Sequence, residues 1–202
     1  MTSQKGKINL PNKLTIMRII LVPFFVLFIV VRFPGMSDTV SRIIAAALFT
    51  AAFITDSIDG NLARKHNMVT DFGKTMDPLA DKFMIFGALV AITYAYTYLS
   101  AVFIWVTLIV IFRELGVTSL RLIVSSTEDV VFPANWAGKL KTVFQCVCVM
   151  TVLLEPVIFH IFWPSYDLYI LTYVTAAIMT LLTIYSGVNY FRAYWSHIDP
   201  RK

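Results

Sequence analysis

Thirty consecutive residues, Phe83 to Phe112, carry no charged side chain. A helix on the surface of a water-soluble protein keeps a polar face for solvent, and this run has no charge to put on one. A single membrane crossing uses about 20 residues, so the run is too long for one span and is expected to break once, near Tyr98 to Ala101, between two. The rest of the chain is of the same kind. Hydrophobic residues make up 58% of the 202 and charged residues 14%, with a mean hydropathy of +0.74, whereas soluble domains average about 25% charged. The expected architecture is an all-α integral membrane protein with a single domain over residues 1–202.

Hydropathy places six transmembrane helices. They are expected at about Ile16 to Val31, Arg42 to Ala63, Gly73 or Asp77 to Tyr98, Tyr98–Ala101 to Val124, Ala137 to Phe159 and Leu168 to Tyr194. Pro78 is expected in the first turn of the third, where a missing N–H is tolerated. Pro11 and Asn12 mark a short amphipathic N-terminal helix that Asn12 could cap. The first apolar run follows a basic segment but ends without a small-residue cleavage pattern, so it is expected to be a retained span and not a signal peptide. Cys146 and Cys148 stand two apart in an apolar run, facing different sides of a helix, and read as packing residues.

Charge orients these spans. With the amino terminus inside, 15 of the Lys and Arg residues fall on the cytoplasmic side or at that end of a helix, and 2, Arg32 and Arg42, fall opposite. The positive-inside rule then places both termini in the cytoplasm. Anionic lipid headgroups account for the net charge of +5, and no nucleic-acid partner is needed.

Against this background the stretch from Asp56 to Asp81 is conspicuous for its polarity. Asp56 and Asp59 are spaced i, i+3, and Asp77 and Asp81 i, i+4, so each pair shares one helix face. Single carboxylates in a connecting segment are usually solvated, but four in register at a membrane edge are costly and point to function. Two such pairs on consecutive helices make an oxygen-rich nest for hard divalent cations. Arg64, just behind Asp59, could hold a phosphate in a fork of hydrogen bonds. Gly60, Ala63 and Gly73 leave room for close approach, and Asp71 reads as a turn residue or cap.

The pattern Asp56-x2-Asp59-Gly60-x2-Ala63-Arg64-x8-Gly73-x3-Asp77-x3-Asp81 resembles the full signature of the CDP-alcohol phosphatidyltransferases, with all eight fixed positions filled. The resemblance implies the CDP-alcohol phosphotransferase fold and dependence on Mg²⁺ or Mn²⁺, two per active site. It implies Asp56, Asp59 and Asp77 as metal ligands, with Asp81 at the edge of the site, where it contacts metal and takes the proton of the incoming hydroxyl. It also implies CDP or pyrophosphate contacts from Asp56, Gly60, Ala63, Arg64 and Gly73, and a homodimer in the membrane.

Three shorter patterns, Asn12-x2-Thr15-x2-Arg18, Arg113-Glu114 and Asn135-x2-Gly138-Lys139-x-Lys141-Thr142, resemble the bacterial phosphatidylglycerophosphate synthase branch of that family. This likeness implies transfer of the phosphatidyl group from CDP-diacylglycerol to glycerol 3-phosphate with release of CMP. Asn12, Thr15 and Arg18 lie three apart on one side of the entry helix, where they could face the nucleotide or merely cap and anchor that helix. A phosphorylated acceptor needs its own cations, for which Arg113, Arg121, Lys139 and Lys141 are the candidates. Arg113 and Arg121 lie about 80° apart around a helix, which would let both border one cavity. Glu114 and Arg121 are nearly aligned, which would also allow a plain ion pair. Within the family the acceptor could instead be phosphatidylglycerol, serine or an inositol phosphate. Outside it, the aspartates could serve a divalent-cation carrier, although a carrier would place its site near the bilayer midplane and gain nothing from Arg64 and Lys65 beside it.

Overall fold

The computed structural model describes residues 10–65, 71–127, 136–163 and 167–195, and all regular structure among them is helical. The helices are α1 (Leu10–Val30), α2 (Asp38–Lys65), α3 (Asp71–Ala95), α4 (Thr97–Thr127), α5 (Trp136–Phe162) and α6 (Ile170–Trp195). Each contains a stretch long and apolar enough to cross a membrane: Asn12–Val30, Asp38–Thr55, Met76–Ala95, Thr97–Leu122, Gly138–Phe162 and Ile170–Ala193. The chain is an integral membrane protein. Its large apolar side chains face outward, among them Tyr94, Trp105, Phe112 and Leu181, as a lipid solvent requires. Exposed Trp136 and Trp163 bracket α5. At 1.5 Å per residue they lie about 40 Å apart, roughly the distance between the two headgroup layers where indole rings settle.

Two expectations are corrected. The short N-terminal helix is not separate from the first span: from Leu10 onward it forms the opening turns of α1, and Asn12 lies inside that helix instead of capping one. Nothing between Pro11 and Pro23 interrupts the helical pattern, and Pro11 stands in a first turn where it does no harm. Residues 1–9 lie outside those described. Likewise α3 begins at Asp71, so Pro78 is inside the helix and not in its first turn. There it removes one backbone hydrogen bond, between the two carboxylates of the motif's second pair.

Packing divides the chain into two units, residues 1–95 and 96–202. In the first, α1 packs against both α2 and α3. Gly35, at φ 82°, occupies the left-handed region in the connection to α2, a conformation that suits glycine. Ser37 then caps α2, its Oγ accepting from the Val40 N–H at 3.3 Å, while Asp38 in the first turn complements the helix dipole and pairs with Arg42 at 3.5 Å. The core is built from small residues, Ala45, Ala46, Ala52, Ala80 and Ala88, around Phe25 and Phe49. Those two rings meet edge to face at 5.5 Å, an arrangement aromatic quadrupoles favour. Gly87 lets α3 approach α1: a Cβ there would lie 3.2 Å from Val22 Cγ1.

In the second unit, α6 packs against α4 and α5. Tyr98 stacks on Tyr169 with ring centroids 4.4 Å apart. The start of α6 is held by an acid from α5. Glu155 is buried, and its two carboxylate oxygens accept the Leu171 N–H at 2.9 Å and the Thr172 N–H at 2.7 Å. Backbone donors at a helix start have no partner within the helix, and an anion there also meets the positive end of its dipole. Thr151 and Thr175 join the same two helices by a hydroxyl contact of 2.8 Å. Glu155→Ala should therefore cost about 3 kcal/mol or more, read as a lower midpoint in a denaturant titration of the detergent-solubilised protein; an unchanged midpoint would show that water replaces the carboxylate.

Candidate active site

Helices α1 and α3 run in the same direction, and their opening turns meet through polar side chains. Thr15 Oγ1 donates to Asp77 Oδ1 at 2.6 Å, and one turn further along Arg18 Nη1 donates to Asp81 Oδ1 at 3.0 Å. The spacings correspond: three residues separate the donors on α1 and four the acceptors on α3, each about one helical turn. Thr15 is 1% exposed and Arg18 0%, whereas the Asp81 side chain is 50% exposed. The donors are thus locked within the packing, while Asp77 is half-buried and Asp81 opens outward at the start of a span.

Asp56, Asp59, Gly60, Ala63 and Arg64 belong to the last turns of α2, and Gly73 to the first turn of α3; their side chains lie outside the described residues. Since α1 and α2 are antiparallel, counting seven residues from Phe25 back to Arg18, and from Phe49 on to Asp56, brings the Asp56 backbone to about the axial level of Arg18. Asn12 is half-buried in the first turn of α1.

The residues present suit a hard divalent cation. Asp77 and Asp81 offer oxygen donors alone, the ligand type that Mg²⁺ and Mn²⁺ prefer, and each is oriented through one oxygen by a hydrogen bond from α1, as ligating carboxylates commonly are. Arg18 also offsets part of the repulsion that clustered carboxylates would otherwise feel. Among the described residues no three potential ligands come together; the remaining two aspartates of the motif are those whose side chains are not described.

The four candidate acceptor cations separate into two kinds. Arg113 and Lys141 converge on one carboxylate: Arg113 Nη1 donates to Glu114 Oε1 at 3.1 Å, and Lys141 Nζ donates to the same oxygen. Arg113 Nη2 donates to Ser186 Oγ at 2.7 Å, and its guanidinium lies over the Tyr190 ring, 5.5 Å from the centroid. Arg121 and Lys139 stand at exposed positions and make none of these contacts. Their separation follows from helix geometry, since Arg121 is about 12 Å further along α4 than Arg113 and Lys139 is turned about 160° from Lys141. Glu114 pairs with Arg113 and Lys141 instead of Arg121.

A sequence model of the CDP-alcohol phosphatidyltransferases matches residues 8–190. The chain belongs to the CDP-alcohol phosphatidyltransferase family. Among its curated relatives, the "Probable phosphatidylglycerophosphate synthase" of Mycobacterium tuberculosis is 40% identical over 90% of this chain and 79% of the relative. The "CDP-diacylglycerol--glycerol-3-phosphate 3-phosphatidyltransferase" of Bacillus subtilis is 37% identical over 93% and 95%, and the protein of the same name from Escherichia coli K12 is 35% identical over 92% and 94%. The likeness therefore runs through both packing units of this phosphatidyltransferase.

Arg18 stands in the Asn12-x2-Thr15-x2-Arg18 pattern, expected to face the nucleotide or to anchor the helix; its pairing with Asp81 was not expected, and its spacing from Thr15, matched to that of Asp77 and Asp81, is the available signal. Ser186 and Tyr190 gave none, because serine and tyrosine are unremarkable in a membrane helix. Thr15→Val keeps nearly the same shape but removes the hydroxyl that orients Asp77. The phosphatidyltransferase carrying it should bind Mn²⁺ about 10–100-fold more weakly, measured by electron paramagnetic resonance in detergent. Unchanged affinity would leave Thr15 as a packing residue only.

Proposed function

We propose that this phosphatidyltransferase moves the phosphatidyl group from CDP-diacylglycerol to the hydroxyl of glycerol 3-phosphate, giving phosphatidylglycerophosphate and CMP. The observation that carries the reading is the fastening of Asp77 and Asp81 by Thr15 and Arg18, which orients the second carboxylate pair of a complete family signature. The names of the relatives support glycerol 3-phosphate as the acceptor. Convergence of Arg113 with buried Lys141 supports a site for its phosphate.

In this reading Asp56, Asp59, Asp77 and Asp81 would hold two Mg²⁺ or Mn²⁺ ions, which would supply charge to neutralise the pyrophosphate and the departing nucleotide. Arg64 grips the pyrophosphate in a bidentate fork. Gly60, Ala63 and Gly73 admit the cytidine phosphate, and Asn12 lies toward the nucleotide. Thr15, whose hydroxyl is committed to Asp77, acts by positioning that carboxylate. The acceptor oxygen forms a bond to the phosphatidyl phosphorus as the bond to CMP breaks. The hydroxyl proton passes to Asp81, an ionised carboxylate whose orientation Arg18 maintains.

The excess of basic residues at one end of the spans supports a cytoplasmic site and cytoplasmic termini, where soluble glycerol 3-phosphate is available. The family match over 8–190 supports treating the chain as one domain. A homodimer in the membrane is part of the same proposal, with the exposed Ala47 and Ala51 of α2 as small residues suited to close helix approach.

The test follows CMP release by protein purified in detergent with CDP-diacylglycerol and Mg²⁺, adding glycerol 3-phosphate, serine, an inositol phosphate or phosphatidylglycerol one at a time. Release stimulated by glycerol 3-phosphate alone is expected; stimulation by another acceptor would retain the family chemistry and overturn the acceptor. Asp81→Asn should lower turnover by about 100-fold or more while CDP-diacylglycerol still binds, and normal turnover in that variant would remove Asp81 as the base.

A further inference from the structure

Arg113 is held from more directions than an ion pair requires. Its side chain is 10% exposed. Glu114 engages Nη1, Ser186 engages Nη2 and the Tyr190 ring covers the plane. Two of these contacts come from one turn of α6, and a third feature of that turn is steric: a Cβ at Gly187 would lie 3.1 Å from Arg113 Cγ. Ser186 is fully buried, so its hydroxyl is directed at the guanidinium and does not serve solvent. The Nε–H of Arg113 is also buried and has no hydrogen-bond partner among the described residues. A buried donor left unmatched is costly, and an oxygen of an incoming phosphomonoester is the kind of acceptor that would match it.

A lysine would satisfy Glu114 as a point charge. The serine at one edge and the tyrosine over the face act specifically on a planar guanidinium. Arginine otherwise loses considerable side-chain freedom when it binds a ligand, and a side chain ordered beforehand avoids that loss. Resting on the acceptor assignment above, we infer that the Ser186-Gly187-Tyr190 turn of α6 is a specificity-determining element: it positions Arg113 to receive the phosphomonoester of the acceptor. Ser186 and Gly187 are positioning residues acting through Arg113.

Steady-state kinetics on the full chain in detergent, varying each substrate in turn, test this with two independent disturbances. Ser186→Ala removes the hydrogen bond, and Gly187→Ala crowds the Arg113 stem. Both should raise KM for glycerol 3-phosphate about tenfold, the effect of losing one hydrogen bond to a charged group, and leave KM for CDP-diacylglycerol within about twofold. Inorganic phosphate, used as a competitive inhibitor against glycerol 3-phosphate, should lose potency in parallel, and Ser186→Thr, which keeps a hydroxyl, should restore both values. Equal rises in the two KM values, or a fall in kcat or melting temperature alone, would show that this turn only packs α4 against α6. A rise in KM for glycerol 3-phosphate with unaltered phosphate inhibition would overturn the assignment of Arg113 to the phosphate group. Wild-type release indifferent to glycerol 3-phosphate would overturn the acceptor reading itself, and this inference with it.

Discussion

A guanidinium remains ionised at any pH a cell meets, so an arginine carried into the interior of a membrane protein must find oxygen atoms there. Among the described residues Arg18 and Arg113 meet it with partners on another helix, whereas buried Arg42 meets it within α2 through Asp38. Arg18 is answered by Asp81 from α3, and Arg113 by Glu114 on its own helix and Ser186 on α6. In the first unit the requirement fastens α1 to α3 at a defined register, because one turn of sliding would strand the buried Arg18 charge, and in the second the Ser186 hydrogen bond ties α4 to α6. The side chains so fixed are also those to which the chemistry is assigned: a carboxylate pair in the first unit and a cation with its neighbours in the second.

The surrounding packing follows the rules of a lipid solvent. Apolar burial gives little drive between helices whose outer surfaces already lie in hydrocarbon, so association relies on close contact and interhelical hydrogen bonds. Small residues supply the first, as at Ala45, Ala46, Ala88 and Gly87, where α1, α2 and α3 meet. Glu155 and the Thr151–Thr175 contact supply the second between α5 and α6. Pro78 fits the same scheme: a helix interrupted between two carboxylates gives up one backbone bond where the side chains, and not the ladder, determine what the segment does.

Much of this was legible in the chain. Thirty uncharged residues read as spans, and the lengths of the runs placed the bounds of six helices within about four residues of α1 to α6, except for the start of α1, which lies six residues earlier than expected. The buried pair Cys146 and Cys148 reads as packing in both descriptions. The helical spacing of the four aspartates, with Gly60, Ala63, Arg64 and Gly73 between them, carries the family's signature in the sequence alone. Less legible were the helix starts at Leu10 and Asp71, since proline near a boundary is compatible with a first turn or with an interior position, and local sequence does not decide between them.

Hydropathy, charge asymmetry and carboxylate spacing are one-dimensional properties, and they were sufficient for the spans, the family and the candidate ligands. Partnership between distant residues is not a one-dimensional property. That Thr15 reaches Asp77 and Arg18 reaches Asp81, 62 and 63 positions away, depends on α1 packing parallel to α3. That Arg113 and Lys141 share Glu114 while Arg121 and Lys139 stand apart depends on the rotation of α4 and α5 about their axes. Composition cannot express that rotation, because equivalent basic residues on different faces of a helix look alike in sequence, and only the packed interior selects which of them is buried beside a partner.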